Sequence, residues 1–163
     1  MGDRLKKARR LAGLKRQPLT HLALLPDGSA ILGIERGERI PRLDTVERIA
    51  YALGLSPAFL AYGIEGEAGP LAKGLRCEGV AQRLADTRAA RSLTMRALAR
   101  LAGLTDTAVR STETGSSLPT VATLEAFAHA LEVSPAWLAF GVGPQELPPR
   151  RRARSTGSPS ARA

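Results

Sequence analysis

Leu93-Thr94-Met95-Arg96-Ala97-Leu98-Ala99-Arg100-Leu101-Ala102-Gly103-Leu104-Thr105-Asp106 is the stretch whose reading decides the fold. Thr94 supplies a side-chain oxygen where the start of a helix needs an acceptor, and Met95, Leu98, Ala99 and Leu101 follow as an apolar stripe at helical spacing. Gly103 stops that helix, because glycine enters the left-handed conformation just past a helix end without a Cβ penalty. Thr105 caps the next helix, and Asp106 lies in its first turn, where the helix dipole favours an anion. This second helix is expected to run from Asp106 to about Thr114.

Working outward, residues 80–91 read as a short amphipathic helix with Leu84 and Ala85 on its inner face. After Gly115 and a loop containing Pro119, residues 120–131 place Val121, Leu124, Phe127, Ala128 and Leu131 at inward spacing. A fifth helix starts with Ser134 as cap and Pro135 at its first position, where a missing N–H costs nothing. Trp137 and Leu138 close the core. The pattern then recurs within the chain. Glu35-Arg36-Gly37, Pro41 and Leu55-Ser56-Pro57-Ala58-Phe59-Leu60-Ala61-Tyr62-Gly63 match Glu113-Thr114-Gly115, Pro119 and Val133-Ser134-Pro135-Ala136-Trp137-Leu138-Ala139-Phe140-Gly141, each pair 78 positions apart. A repeat of that length is too long for a solenoid unit and suits a small compact domain. Aromatic and β-branched residues are too few to fill strands, while Ala, Leu and Arg dominate, so an all-α chain is expected.

The net charge of +9 is unevenly placed. Residues 1–66 contribute +4, residues 79–143 only +1, and residues 144–163 a further +4. A basic balance of this kind points to a polyanionic partner. One cysteine, Cys77, excludes an intramolecular disulfide and fits a reducing compartment. No apolar run approaches membrane-span length, so a soluble, cytoplasmic and nucleoid-associated protein is expected, with no membrane partner. His21 and His129 are isolated, and neither a metal-ligand set, a phosphate loop nor a nucleophile–base pairing is present. No catalytic residues, metal or cofactor are expected.

Helix, tight glycine turn and capped helix make the helix-turn-helix arrangement, whose second helix enters the DNA major groove. With Val109 facing the core, Asp106, Thr107, Arg110 and Ser111 point outward as the candidates for reading bases. The residues Leu93 to Thr105, Val109, Glu113-Thr114-Gly115, Pro119, Leu124, Phe127-Ala128, Leu131 and Val133-Ser134 resemble the Cro/CI-type (Xre-like) helix-turn-helix family, and the resemblance covers about 60 residues of each half. It implies two tandem five-helix, lambda-repressor-like domains on double-stranded DNA, at residues 1–65 and 80–143, joined by a linker at 66–79 and followed by a disordered basic tail at 144–163. It further implies that Thr94 and Arg96 hold phosphates at the cap of the second helix, although Met95 stands where the family usually has glutamine. Arg88 with Glu113, and Arg9 with Glu35, fall where family members place a structural ion pair.

The first copy departs from the pattern. Arg4-Leu5 and Arg83-Leu84 are 79 apart, so one extra residue lies between Gln17 and Asp27, in the segment that forms the turn. Leu24-Leu25-Pro26-Asp27 replaces the turn glycine, with Asp27 still able to cap the third helix. The outward positions of that helix, Gly28, Ser29, Leu32 and Gly33, lack the long hydrogen-bonding side chains that read base edges. Two glycines in one helical turn are expected to weaken it. The same copy carries Lys6, Lys7, Arg10, Lys15 and Arg16 along its first helix and the start of its second, and Arg36, Arg39 and Arg42 around the loop that touches the DNA backbone in the family. These are the candidate phosphate-binding residues. The expected division of labour is electrostatic affinity from the first copy and base selection from the second.

The glycine-punctuated linker is long enough to set two modules about one DNA turn, roughly 34 Å, apart. That is compatible with an intramolecular pseudo-dimer and equally with a homodimer. Leu24, Leu25 and Leu32 fill local core or form a protein interface in the first copy, and Phe59, Tyr62, Trp137 and Phe140 are core residues or dimer contacts. Arg150, Arg151, Arg152 and Arg154 add phosphate affinity or only solubilise the tail. The expected function is that of a sequence-specific DNA-binding transcriptional regulator, a repressor acting by promoter occupancy. The alternative is a protein-interaction regulator on a degenerate helix-turn-helix scaffold.

Overall fold

The capping residues at 94, 105, 120 and 134 each close onto a backbone N–H three residues on, and helices start there. A computed structural model describes residues 1–65 and 75–146. The described residues form ten α-helices, α1 (Gly2–Leu11), α2 (Arg16–Leu22), α3 (Ser29–Arg36), α4 (Leu43–Ala52), α5 (Pro57–Tyr62), α6 (Val80–Ala90), α7 (Met95–Ala102), α8 (Asp106–Glu113), α9 (Val121–Ala130) and α10 (Pro135–Phe140). The described residues contain no strand, in line with the all-α expectation. Thr94 accepts from Ala97 N–H at 3.1 Å, Thr105 from Ala108 at 3.2 Å, Thr120 from Thr123 at 3.2 Å and Ser134 from Trp137 at 3.4 Å. Lys15 stands where Thr94 does, at the start of α2, and cannot accept such a bond, so α2 begins without a side-chain cap. Leu5, Leu19, Ile31, Leu43, Ile49 and Leu60 are fully buried in one series of helices, and Leu84, Leu98, Val109, Leu124, Phe127 and Leu138 in the other. Each such side chain contributes about 1.5–3 kcal/mol of transfer free energy.

The turn between α2 and α3 retains the geometry of its counterpart without the glycine. Gly103 has φ +66°, and Leu24, 79 positions earlier, has φ +52°. The flanking bonds agree: Leu104 N–H donates to Ala99 O at 2.9 Å, and Leu25 N–H to Thr20 O at 3.0 Å. From Asp27 onward the offset is 78, since Asp27 Oδ1 accepts from Ala30 N–H at 3.1 Å as Thr105 accepts from Ala108. The extra residue is therefore Pro26. Asp27 also accepts from Ser29 N–H at 2.7 Å. Gly28 lies before the helix and only Gly33 within it, so the expectation of two helix-weakening glycines is corrected to one. At a helix cap, glycine costs only a few tenths of a kcal/mol.

A guanidinium joins the first helix of each series to the third. Arg9 Nε donates to Glu35 Oε1 at 2.6 Å, its Nη2 to Oε2 at 3.2 Å and its Nη1 to Leu14 O at 2.8 Å. Arg88 repeats this with Glu113 at 2.6 and 2.8 Å and with Leu93 O at 2.8 Å. A second arginine ties the first helix to the fifth. Arg4 Nε donates to Leu60 O at 3.1 Å and its Nη2 to Ala61 O, while Arg83 donates to Leu138 O at 2.9 Å and Ala139 O at 2.6 Å. Cations are favourable at these helix C-terminal carbonyls.

The two series meet through matching residues. Leu43 N–H donates to Pro119 O at 3.1 Å, and Val121 N–H to Pro41 O at 3.0 Å. Between them Arg42 and Thr120 form an antiparallel bridge, and α5 packs on α10 with the Tyr62 and Phe140 rings 6.4 Å apart. Pro41, Arg42, Leu43 and Tyr62 are the counterparts, 78 positions earlier, of Pro119, Thr120, Val121 and Phe140, so each contact is matched by its reciprocal, as in an isologous interface. One contact breaks the symmetry. Buried Glu47 accepts from Tyr51 Oη at 2.7 Å, Arg76 N–H at 2.6 Å and Cys77 N–H at 3.0 Å. Its counterpart, Glu125, is exposed. Residues Arg76–Gly79, read from sequence as linker, thus form a 3-10 turn with Cys77 buried, because a carboxylate takes up two of its N–H groups. Burial, reinforced by the bond to Glu47, pushes the Tyr51 phenol up to about 12 and raises the Cys77 thiol. Likewise Ser134 N–H donates to Gln145 O at 2.8 Å and Val133 bridges Glu146, so the second copy extends past position 143, into residues assigned to the tail. The rest of the linker and tail, including Arg150, Arg151, Arg152 and Arg154, lies outside the described residues.

Two outcomes are expected. Leu24→Gly relieves a left-handed Cβ and should stabilise the chain by about 1 kcal/mol, whereas Leu24→Ala retains the Cβ and should not; urea denaturation measures both. Burial works against the Glu35 charge, but the hydrogen bonds and charges of Arg9 and Arg16 outweigh it and hold the carboxyl below its ordinary range. A depressed carboxylate contributes stability above its unfolded pKa, near 4.3, and that contribution is lost as pH falls through the lower folded value. The urea midpoint of the native chain should therefore drop between about pH 5 and pH 3 more steeply than that of Glu35→Gln, which begins lower at pH 7.

Candidate nucleic-acid interface

On α8, Val109 and Thr112 are buried, which turns Asp106, Thr107 and Arg110 to solvent on one face. Arg110 takes part in no ion pair among the described residues, so its guanidinium is available. Ser111 is half-buried and its hydroxyl donates to Ala108 O at 3.3 Å, which leaves it less free than the other three.

Thr94 and Arg96 share a shallow groove of about 510 Å³ with Ala97, Arg100, Leu104 and Asp106, between the starts of α7 and α8. The Thr94 oxygen is already engaged as the α7 cap, so Arg96 and Arg100 supply the positive charge. Arg100 was not among the sequence candidates. The signal for it was present, since it stands one helical turn beyond Arg96. Met95 packs against the core instead of facing this groove.

The corresponding face of α3 is short of donors. Gly28 precedes the helix, Ser29 turns its hydroxyl back to Asp27, and Leu32 and Gly33 are half-buried. Leu25 packs against the core, whereas Leu24 is 73% exposed. The basic residues around α3 fall into separate groups. Lys6, Lys7 and Arg10 line a groove of about 410 Å³ along α1 with Asp3 and Leu11. Lys15 is exposed at the start of α2, and Arg36 and Arg39 are exposed at and just beyond the end of α3. Arg36 stands 3.7 Å from Glu38, an exposed pair that leaves its charge largely available to a ligand. Arg42 sits on the seam between the copies, 3.6 Å from Asp44.

Arg16 has a different place from the one its charge suggested. Its Nε donates to Glu35 Oε2 at 2.8 Å, making it a third member of the buried Arg9–Glu35 pair. The reason is positional: Glu35 Oε2 accepts from both Arg9 and Arg16, whereas Glu113 has no second arginine in reach because Met95 occupies the place of Arg16. Arg4, Arg83 and Glu47 were not singled out in the sequence either. Tyr51, one helical turn beyond Glu47, is within reach of a spacing rule, but the backbone groups 29 to 57 residues away that these three side chains also hold are not.

Residues 84–138 match the Helix-turn-helix family model. The match begins on α6 and ends on α10, about a third of the chain, and takes in α7, the Gly103 turn and α8. Neither a curated protein nor a solved structure matches the chain. The groove with Arg96 and Arg100, and the outer face of α8, both lie within the residues that this model matches. Among the described residues no cluster of His, Cys, Asp and Glu could hold a metal ion, and no helix is long and apolar enough to cross a membrane.

Proposed function

We propose that the protein is a DNA-binding transcription regulator, a repressor that occupies its promoter through tandem helix-turn-helix domains, one at residues 1–65 and one from residue 80 through at least residue 146. The observation that carries this reading is the outer face of α8 within the matched helix-turn-helix, where Asp106, Thr107 and Arg110 stand free beside Arg96 and Arg100. In the major groove, the Arg110 fork suits the O6 and N7 acceptors of guanine, the Thr107 methyl a thymine methyl, and the Asp106 carboxylate the N4 amino group of cytosine. Arg96 and Arg100 fit the flanking phosphates.

The first copy acts by charge. Lys6, Lys7, Arg10, Lys15, Arg36 and Arg39 release counterions when they approach phosphates, and this favours every duplex equally. Arg16 contributes less, being held by Glu35. Such an activity places the protein with the chromosome it regulates. Leu22, Leu24 and Ile40, between 58% and 73% exposed, favour a second reading in which the first copy docks a protein.

Gel shifts with a salt titration separate the roles. Thr107→Ala/Arg110→Ala should lose preference among sequences, by about 1–3 kcal/mol per lost base contact, with little change in salt slope. Arg36→Ala/Arg39→Ala should weaken binding to all duplexes and reduce the slope by about 2. Arg96→Ala/Arg100→Ala should do the same. Duplex affinity no greater than that of a lysine-rich control protein would overturn the reading in favour of the protein-docking one.

A further inference from the structure

Resting on the DNA-binding reading, we propose that a single chain occupies a single, non-palindromic duplex site, and so binds DNA with a fixed direction. A two-fold protein dimer meets two half-sites of opposite polarity, and identical subunits select identical half-sites. Here the two-fold relation lies inside one chain. The Pro41–Val121 and Leu43–Pro119 bonds are mutual, the Arg42–Thr120 bridge pairs equivalent residues, and Tyr62 meets Phe140. These contacts use the same surface of both copies, so that surface is not left for another chain. Glu47 then clasps the backbone of Arg76 and Cys77, the residues that lead into the second copy, and exposed Glu125 makes no corresponding bond among the described residues. The seam is symmetric in its contacts and asymmetric in its fastening.

The two DNA-facing surfaces are not equivalent. One offers Asp106, Thr107 and Arg110, and the other Ser29, Leu32 and Gly33 flanked by Arg36 and Arg39. A pair of copies set two-fold about their seam presents these surfaces to tracts of opposite polarity, but only the tract under α8 meets side chains able to discriminate bases. The partner is therefore a duplex with one defined tract and one sequence-tolerant flank always on the same side of it. Assembly needs no second chain, so binding follows a one-site isotherm with no dimerisation step.

The experiment uses the full-length chain. Sedimentation equilibrium should give a mass of 17.3 kDa for the free protein, and selection from randomised duplexes should return one defined tract and complexes of one chain per duplex. An inverted-repeat consensus, or two chains per duplex, would overturn the proposal while leaving DNA binding intact. Failure to select any duplex would overturn the DNA-binding reading itself, and this proposal with it. A seam variant supplies a separate check. Val121 is the first residue of α9 and follows an extended Thr120 (φ −74°, ψ 164°), so Val121→Pro preserves the helix start but deletes the bond to Pro41. Its affinity for the selected duplex should fall between about twofold and tenfold, with affinity for an isolated defined tract unchanged. Equal affinity of Val121→Pro and the native chain for the full site would show that the seam does not set the two copies on DNA.

Discussion

The Arg88 guanidinium holds three pieces of chain at once: α6, which carries it, the Leu93 carbonyl ahead of α7, and Glu113 at the end of α8. Arg9 does the same with Leu14 and Glu35. A planar fork bonded on two edges fixes angle as well as distance, and loss of either partner strands a charge in a low-dielectric interior, at a cost of about 3–5 kcal/mol. The third helix of each copy is thus positioned from its inner face and from one end. What its outer face carries has no part in holding it, which is why α3 and α8 can occupy the same place while one presents Arg110 and the other Gly33.

The same separation runs through the seam. Its bonds are donated by backbone at positions 43 and 121 and accepted at 41 and 119, and apart from proline at a donor position they are indifferent to side-chain identity. Side chains supply the difference between the copies. Glu47 is satisfied by three donors and Glu125 is exposed to solvent, although they stand at matched positions on α4 and α9. The 3-10 turn at Arg76–Gly79 is the reason: Glu47 has N–H groups to accept from, supplied by the chain on its way into the next copy.

Much of the fold was legible because it is set locally. Thr94, Thr105 and Ser134 announce helix starts, Gly103 announces a stop, and the apolar stripes place Leu98, Val109 and Phe127 in the core. The repeat located an extra residue only to the segment between Gln17 and Asp27, since alignment by side chain cannot choose within it; backbone bonds could. The bond of Arg16 to Glu35 was not legible because a sequence shows a charge and not its partner. Arg4 and Arg83 escaped notice for a related reason, as their acceptors are carbonyl oxygens far along the chain. Asp106, Thr107 and Arg110 follow directly from the helical period once Val109 is known to be inside, whereas Arg100 joined them only when the start of α8 was seen beside α7.

Left-handed backbone occurs at matched positions in both copies, and at three of them glycine in one copy faces a residue with a side chain in the other. Gly13 corresponds to Ser92, Gly54 to Glu132, and Gly103 to Leu24, with φ between +52° and +67° at all six. The two kinds of residue place the cost of one conformation in different states. A glycine carries it in the unfolded chain, as freedom surrendered on folding, whereas Leu24, Ser92 and Glu132 carry it in the native state, as steric strain. Two copies with the same backbone therefore differ in where their instability resides, and the strained positions of each are the places where its native basin is shallowest.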